Sequence, residues 1–172
     1  MKHSGFTLVE LLGVFEVMAV LFAIVVPGYS QFMNFNRLVA ATNDLVASLQ
    51  LARSEAIKRG TRVTVCTSSA PMEATPACDA DASWQQGWLV FVDGGTKGML
   101  DGADSILRVH GSVPQAVMSA SNFGDYVSYL PSGGSQGPNG LGNGTLNICL
   151  AGGKRSIVIN TIGRIKTTSN TC

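Results

Sequence analysis

From Phe6 to Val26 the chain reads FTLVELLGVFEVMAVLFAIVV, 21 residues with two acids and no base. A helix needs about 20 predominantly apolar residues to cross the hydrocarbon of a bilayer, so this run has the length of one span. Five residues precede it, Met1 to Gly5, and they include Lys2 and His3. That leader is too short and too polar for the charged and apolar parts of an ordinary secretory signal. The apolar run also lies after the small residue, where cleavage would leave it in place. The helix is therefore expected in the mature chain, and Lys2 biases its N-terminus toward the cytoplasm, which sends the rest of the chain to the other side.

An acid at a spanning position costs about 2.5 to 3.5 kcal/mol on insertion scales, so Glu10 requires a partner or a site wet enough to hydrate it. The residues Gly5-Phe6-Thr7-Leu8-Val9-Glu10 resemble the class III signal of type IV pilins and type II secretion pseudopilins, and Pro27 stands where helices of that kind commonly kink. The resemblance implies that a prepilin peptidase cuts after Gly5 and methylates Phe6. It also implies that Glu10 serves filament assembly, its carboxylate meeting the positive N-terminus of a neighbouring subunit. Glu16 departs from the pattern. It follows Glu10 by six positions rather than three or four, so the two do not share a helix face, and a helix contact and an incidental substitution both stay open.

Beyond the span, composition points to one modest domain: 172 residues in all, net charge +1, 13% charged, with 16 of the 20 glycines after residue 86, where turns are therefore expected. Four cysteines all follow the apolar run, without a C-x-x-C spacing and without a histidine near them in sequence. Two disulfides in an oxidising periplasm fit that pattern better than a metal site. Of the three pairings, Cys66 with Cys78 and Cys149 with Cys172 are favoured because each closes a local loop.

Between Ser30 and Arg59, Leu38, Ala41, Leu45, Leu49, Ala52 and Ala56 recur at steps of three and four, the period of a helix with one face on a sheet, and Gly60 is a natural stop. After Gly60 the period shortens to that of strands, over 62–67, 87–93, 106–110, 126–130, 145–150 and 156–165, with Gly, Pro, Ser and Asn clusters between them. Leu49 to Ala56, Val63 to Cys66 and Trp84 to Val92 resemble the GspH/FimT class of minor pilins and pseudopilins. The fold expected is α+β, a long N-terminal helix packed on a C-terminal antiparallel β domain. Its parts would be a leader (1–5), a transmembrane and filament-core helix (6–29), the amphipathic half of that helix (30–60) and a periplasmic β-rich domain (61–172).

Residues 93–104 have the length and sixth-position glycine of a calcium loop, but positions three and five are Gly95 and Lys97, and a lysine amine would repel a cation that needs six to eight oxygens. A glycine-rich hairpin with solvated acids is the expectation, and no metal or other cofactor is called for. Catalysis has no constellation to rest on: no nucleophile elbow, no zinc-helix pair, no phosphate loop, and His110 as the one histidine outside the leader.

After Asp125 no acidic side chain occurs, whereas Lys154, Arg155, Arg164 and Lys166 do. Gly163-Arg164-Ile165-Lys166 is similar to a basic G-R-x-R motif that contacts DNA in some relatives serving DNA uptake, with Lys in place of the last Arg. Lysine keeps the charge that attracts phosphate and loses the planar fork. Arg164 and Lys166 on one strand would share a face, with Lys154 and Arg155 bordering them from the turn before; the same four cations on a Gly/Ser/Thr-rich surface would also simply keep the protein soluble.

The resemblance therefore implies a non-enzymatic minor type IV pilin. It would sit in the inner membrane by a single pass with its C-terminal domain in the periplasm, and take part in pilus assembly, with the pilus tip as a possible destination. Its partners would be prepilin peptidase and other minor and major pilins. Two alternatives stay open: a DNA-binding minor pilin for natural transformation, whose partner is double-stranded DNA, and a minor pseudopilin of a type II secretion system.

Overall fold

The structure is a computed structural model, and the residues it describes are 7–102 and 104–172, without the side chains at 26 and 27. A single helix, α1, runs from Leu8 to Arg59, 52 residues and so about 78 Å at about 1.5 Å per residue. Thr7 caps its start, where Glu10 closes a reciprocal capping box; Lys58 and Arg59 lie in its last turn, and Gly60 ends it in the left-handed conformation at φ 65°.

Among the described residues nine strands follow: β1 (Val63–Thr67), β2 (Trp88–Val92), β3 (Ser105–His110), β4 (Val117–Ser121), β5 (Tyr126–Tyr129), β6 (Ser135–Gln136), β7 (Gly144–Leu150), β8 (Gly153–Ile159) and β9 (Ile165–Thr171). They form two antiparallel sheets, one in the order β3-β2-β1-β5-β6 (sheet A), the other β4-β7-β8-β9 (sheet B). The periodic stripe Leu38, Ala41, Leu45, Leu49, Ala52 and Ala56 is buried along its whole length. All of it but Ala41 joins one core with Val63, Val65, Trp88, Val90, Val127 and Tyr129 of sheet A and Leu146, Ile148, Leu150, Ile157 and Ile159 of sheet B. One helix face thus closes two sheets at once, and Trp88 also donates its indole N–H to Ser48 of the helix at 3.0 Å.

Sheet A is buried on its far face as well. Every residue of β1 is buried, because Cys66, Leu89, Phe91 and Tyr126 form a second cluster under Cys78 and Leu100. A disulfide joins Cys66 to Cys78 and secures the 68–83 loop over this face; a second joins Cys149 of β7 to Cys172 after β9, at the turn end of the β7–β8 hairpin. Thr64 is buried as well, its hydroxyl 2.5 Å from Asp93 and 2.7 Å from Ser128. Asp93 is buried too, and accepts from Arg62 at 2.7 Å and from the Gly98 N–H at 2.9 Å. The ion pair raises the Arg62 pKa above its ordinary value, burial opposing it.

Two strand expectations need correction. The stretch 156–165 is not one strand: β8 ends at Ile159, the chain turns, and β9 starts at Ile165. β4, β6 and β9 are not among the expected strands: in β4, V-M-S-A-S, adjacent Val117 and Met118 blur the alternation, β6 is two polar residues, and β9, I-K-T-T-S-N-T, is held by its seven-residue register with β8 rather than by a buried face.

Tyr129 is fully buried on β5, and among the described residues its hydroxyl has no hydrogen-bond partner. Burial pushes the phenol above its ordinary range, with the Arg53 charge pulling weakly the other way. A folded-state pKa raised above the unfolded one stabilises the fold fully below about pH 10 and loses that contribution as pH rises from the unfolded toward the folded value. Denaturant titrations from about pH 9 to about pH 11 should show stability falling in the wild type and falling less in Tyr129→Phe. At neutral pH that variant is expected to be at least as stable as the wild type, because it removes an unpartnered buried hydroxyl.

Candidate functional site

The lower part of α1 is exposed around its whole circumference. Leu8, Val9, Leu12, Phe15, Val17, Val20, Phe22 and Ile24 all lie in the open, on every side of the helix. A helix apolar all round is covered by lipid or by other helices. Glu10 and Glu16 are exposed in the same stretch. The Glu10 carboxylate lies 3.4 Å from the Thr7 N–H and 3.3 Å from the Thr7 hydroxyl, which in turn accepts from the Glu10 N–H at 3.4 Å. Within one chain, then, Glu10 serves the helix start; these bonds use one carboxylate oxygen, leaving acceptor capacity for a second partner. Gly5 and Phe6 lie outside the described residues.

The four cations expected to form one patch are separated. Arg164 is the last residue of the turn between β8 and β9, its N–H bonded to Asn160 Oδ1 at 2.8 Å, and it is exposed together with Lys166. Lys154 and Arg155 are not in a turn but inside β8, opposite Asn170 and Ser169. Strand alternation puts Arg155 on the face of Ile157 and Ile159, toward the helix, and its guanidinium carbon lies 5.9 Å from the Phe35 ring centroid. Lys154 shares the outer face with Val158 and its partner Lys166, four residues further along β8 and so about 13 Å away.

A fifth cation, missed by inspection of the C-terminal segment, organises the exposed pair. Arg53 reaches from α1 to donate to the Gly133 carbonyl at 3.0 Å and the Ile162 carbonyl at 2.9 Å, fastening the 160–164 turn to the helix. No sequence signal marks it, because its partners lie 80 and 109 residues away. Gly163, at φ 75°, is packed into this contact: a Cβ there would stand 2.1 Å from the Gly133 carbonyl oxygen and 3.1 Å from Arg53 Nε. The glycine of the Gly163-Arg164-x-Lys166 sequence thus has a packing role of its own. Nearby at the helix end, Arg59 and Lys58 hold the Glu55 carboxyl below its usual range. Arg53 and Phe35 are 18 residues apart on α1, about 27 Å, so Arg164 belongs to the far end of the domain and Arg155 to the end nearer the apolar span.

His110 is occupied structurally. Its ring stacks on the buried Trp88 at 3.9 Å and 2°, Nδ1 is 2.8 Å from the Gly111 carbonyl and Nε2 is 3.3 Å from Asp44 of the helix. Both nitrogens and one face are engaged, a poor arrangement for a general base. In the 93–104 loop the acids hold backbone. The Thr96 side chain, and with it the Thr96 N–H at 3.0 Å, keeps the Asp101 carboxyl below the ordinary range, and Asp104 accepts from the Gly94 N–H at 2.9 Å and the Asp101 N–H at 3.2 Å. Among the described residues no group of three or more potential ligands comes together for a metal.

The sequence model of a family described as type II transport protein GspH matches residues 41–163. The fold is similar to that of the type IV minor pilin FimU of Pseudomonas aeruginosa strain PAO1 in two crystal forms. One has TM-score 0.59 and 24% identity over 80% of this chain and 92% of that one; the other has TM-score 0.55 and 23% identity over 75% and 90%. It is similar too to EpsH, a minor pseudopilin of the type 2 secretion system of Vibrio cholerae, with TM-score 0.51 and 15% identity over 76% and 94%. These structures share a long helix packed on antiparallel sheets with the present one. No curated protein matches the chain.

The clamp makes two expectations. Gly163→Ala should destabilise the domain by roughly 2–4 kcal/mol, from left-handed backbone strain and the clash with Gly133. Arg53→Met, which removes two charge-assisted bonds while keeping the stem, should cost about 1.5–3 kcal/mol. Denaturant unfolding reads both; a Gly163→Ala variant as stable as the wild type would contradict the packing role.

Proposed function

Because this chain belongs to the GspH family of type IV pilin-like proteins, we propose that it is a minor type IV pilin. It is cut by prepilin peptidase after Gly5, methylated at Phe6, and held in the inner membrane by the apolar half of α1 with its β domain in the periplasm. From there it joins other minor and major pilins in pilus assembly. The observation that carries this reading is the change of character along one unbroken helix: exposed and apolar all round from Leu8 to Val25, then buried on a single stripe from Leu38 to Ala56. Lipid covers the lower half before assembly and the helices of neighbouring subunits cover it afterwards, with Glu10 taking a neighbour's N-terminal amine.

Two narrower readings have an observation each. The matched family is named for type II transport, which favours a minor pseudopilin of a type II secretion system. The exposed Arg164 and Lys166, set beside Arg53 at the domain's far end, favour a DNA-binding pilin for transformation, gripping phosphates without reading bases.

Glu10→Ala tests assembly. The variant should accumulate in the membrane with its domain folded, yet be lost from sheared pili and from cross-links to other pilins; wild-type incorporation would overturn the assembly role of Glu10. The identity of those cross-linked neighbours, pilus or secretion subunits, separates the first two readings. For the third, the full chain in neutral detergent is titrated with duplex DNA at several salt concentrations. Arg164→Gln/Lys166→Gln should weaken binding and lower the salt slope by about 2; no binding at low salt would end the DNA reading.

A further inference from the structure

We infer that the sheet B side of the domain, at the end nearer the apolar span, is a docking surface for anionic phospholipid headgroups. Phe35, Arg37 and Arg155 form it, and Lys154 adds its charge at the same level from the outer face of β8. The inference rests on the reading of α1 as a membrane anchor and adds a second contact with the same membrane.

The helix supplies half of the surface. From Pro27 to Asn43 it carries one charged side chain, Arg37. Three aromatics climb the same stretch, Tyr29, Phe32 and Phe35, exposed at 63%, 61% and 56%. Aromatic side chains just beyond an apolar span, followed by a cation, are what a headgroup layer accommodates. The β7–β8 turn supplies the other half. Ala151 and Gly153 stand against Gln31, Asn34, Phe35 and Leu38 around a groove of about 270 Å³, and Arg155 reaches from β8 to the Phe35 ring at 5.9 Å. Arg37 bonds to neutral Gln115 at 3.4 Å. Among the described residues none of these three cations has an acidic partner in an ion pair.

Distances decide whether headgroups are within reach. Nine residues separate Val26 from Phe35, about 13 Å of helix. The polar layer of a bilayer adds about 6 Å beyond the hydrocarbon on each side, leaving a gap of about 7 Å, shorter than the Debye length of about 8 Å in physiological salt. Acidic side chains favour one side over the other. Asp44, higher on the helix, is engaged by His110, and Glu73, Asp79 and Asp81 sit on the 68–83 loop, which hangs from sheet A through Thr67 and the Cys66–Cys78 bridge. The domain therefore leans toward the membrane on its sheet B side.

The test places single full-length chains in nanodiscs of phosphatidylcholine, or of phosphatidylcholine with about one third phosphatidylglycerol, and follows amide exchange in peptides covering 28–38 and 150–156. Several-fold slower exchange is expected in the anionic discs. It should return to the phosphatidylcholine rate at roughly 0.5 M salt and in Lys154→Gln/Arg155→Gln, and persist in Arg164→Gln/Lys166→Gln, whose charges lie at the far end. Equal exchange in the two lipids, or protection that survives Lys154→Gln/Arg155→Gln, overturns the inference. Protection that instead appears with several chains per disc, whatever the lipid, assigns the surface to a neighbouring subunit and overturns it too. Co-elution with the disc reads anchoring separately: a chain that enters neither lipid fails the anchor reading and this inference with it, whereas one that enters both and exchanges equally fails the inference alone.

Discussion

Everything in the globular part depends on one face of α1. Leu45, Leu49, Ala52 and Ala56 are wholly buried because two sheets, not one, close on them. The alternation of large and small residues makes that geometry possible: the leucines fill the space between the sheets, and the alanines let strands approach the helix backbone. Sheets A and B have no strand in common, so the helix, with Phe123 and the side chains around it, is the element that binds them into one core. A large-to-small change at Leu45 or Leu49 would open a cavity bordered by both sheets at once, where relaxation is hardest.

That dependence explains the polar contacts added around it. Trp88 to Ser48, His110 to Asp44, Arg37 to Gln115 and Arg53 to Gly133 and Ile162 each tie a strand or loop to a residue flanking the apolar stripe. Hydrophobic burial has no direction of its own; these bonds set the register of helix against sheet. Arg53 is the most consequential, because it fixes the turn that presents Arg164. A cation usually read as surface charge here spends its donors on two backbone carbonyls, and the exposed pair beyond it keeps the charge directed outward.

Much of this was legible in the sequence, for physical reasons that differ by element. The helix stripe was readable because six residues at steps of three and four leave little else that could bury them together, and β1, β2 and β5 were readable from their apolar residues. What could not be read was what tertiary pairing alone holds. β9 has one apolar residue and is a strand through its ladder with β8; Thr64 and Asp93 look solvated in sequence and are buried together, Asp93 accepting from Thr64, Arg62 and the Gly98 N–H of the 93–104 loop. The basic cluster failed as a single patch for a related reason: a run of cations with no acid between them says nothing about which face of a strand each occupies, and alternation sends Arg155 toward the helix and Lys166 away from it. The glycine of the basic motif was read through its neighbours' charge, while its packing against Gly133 depends on a loop 30 residues away.

A helix of this length turns sequence position into height above the membrane. Each residue adds about 1.5 Å, so Phe35 and Arg53 fix two levels roughly 27 Å apart, and the cations sort between them. At the upper level Arg53, Arg164 and Lys166 stand clear of any bilayer by several Debye lengths, where only a soluble polyanion or a neighbouring subunit could meet them. At the lower level Arg155, at the height of Phe35, lies within one Debye length of headgroups while the chain is anchored, and Arg37 stands about 3 Å higher. Withdrawal of the span into a filament would carry both levels away from the lipid together, since α1 is unbroken between them. The lower set would then lose its anionic surface at the step in which Glu10 gains a neighbour, and an attraction held by a few screened charges is weak enough to give way to helix packing along the whole apolar half.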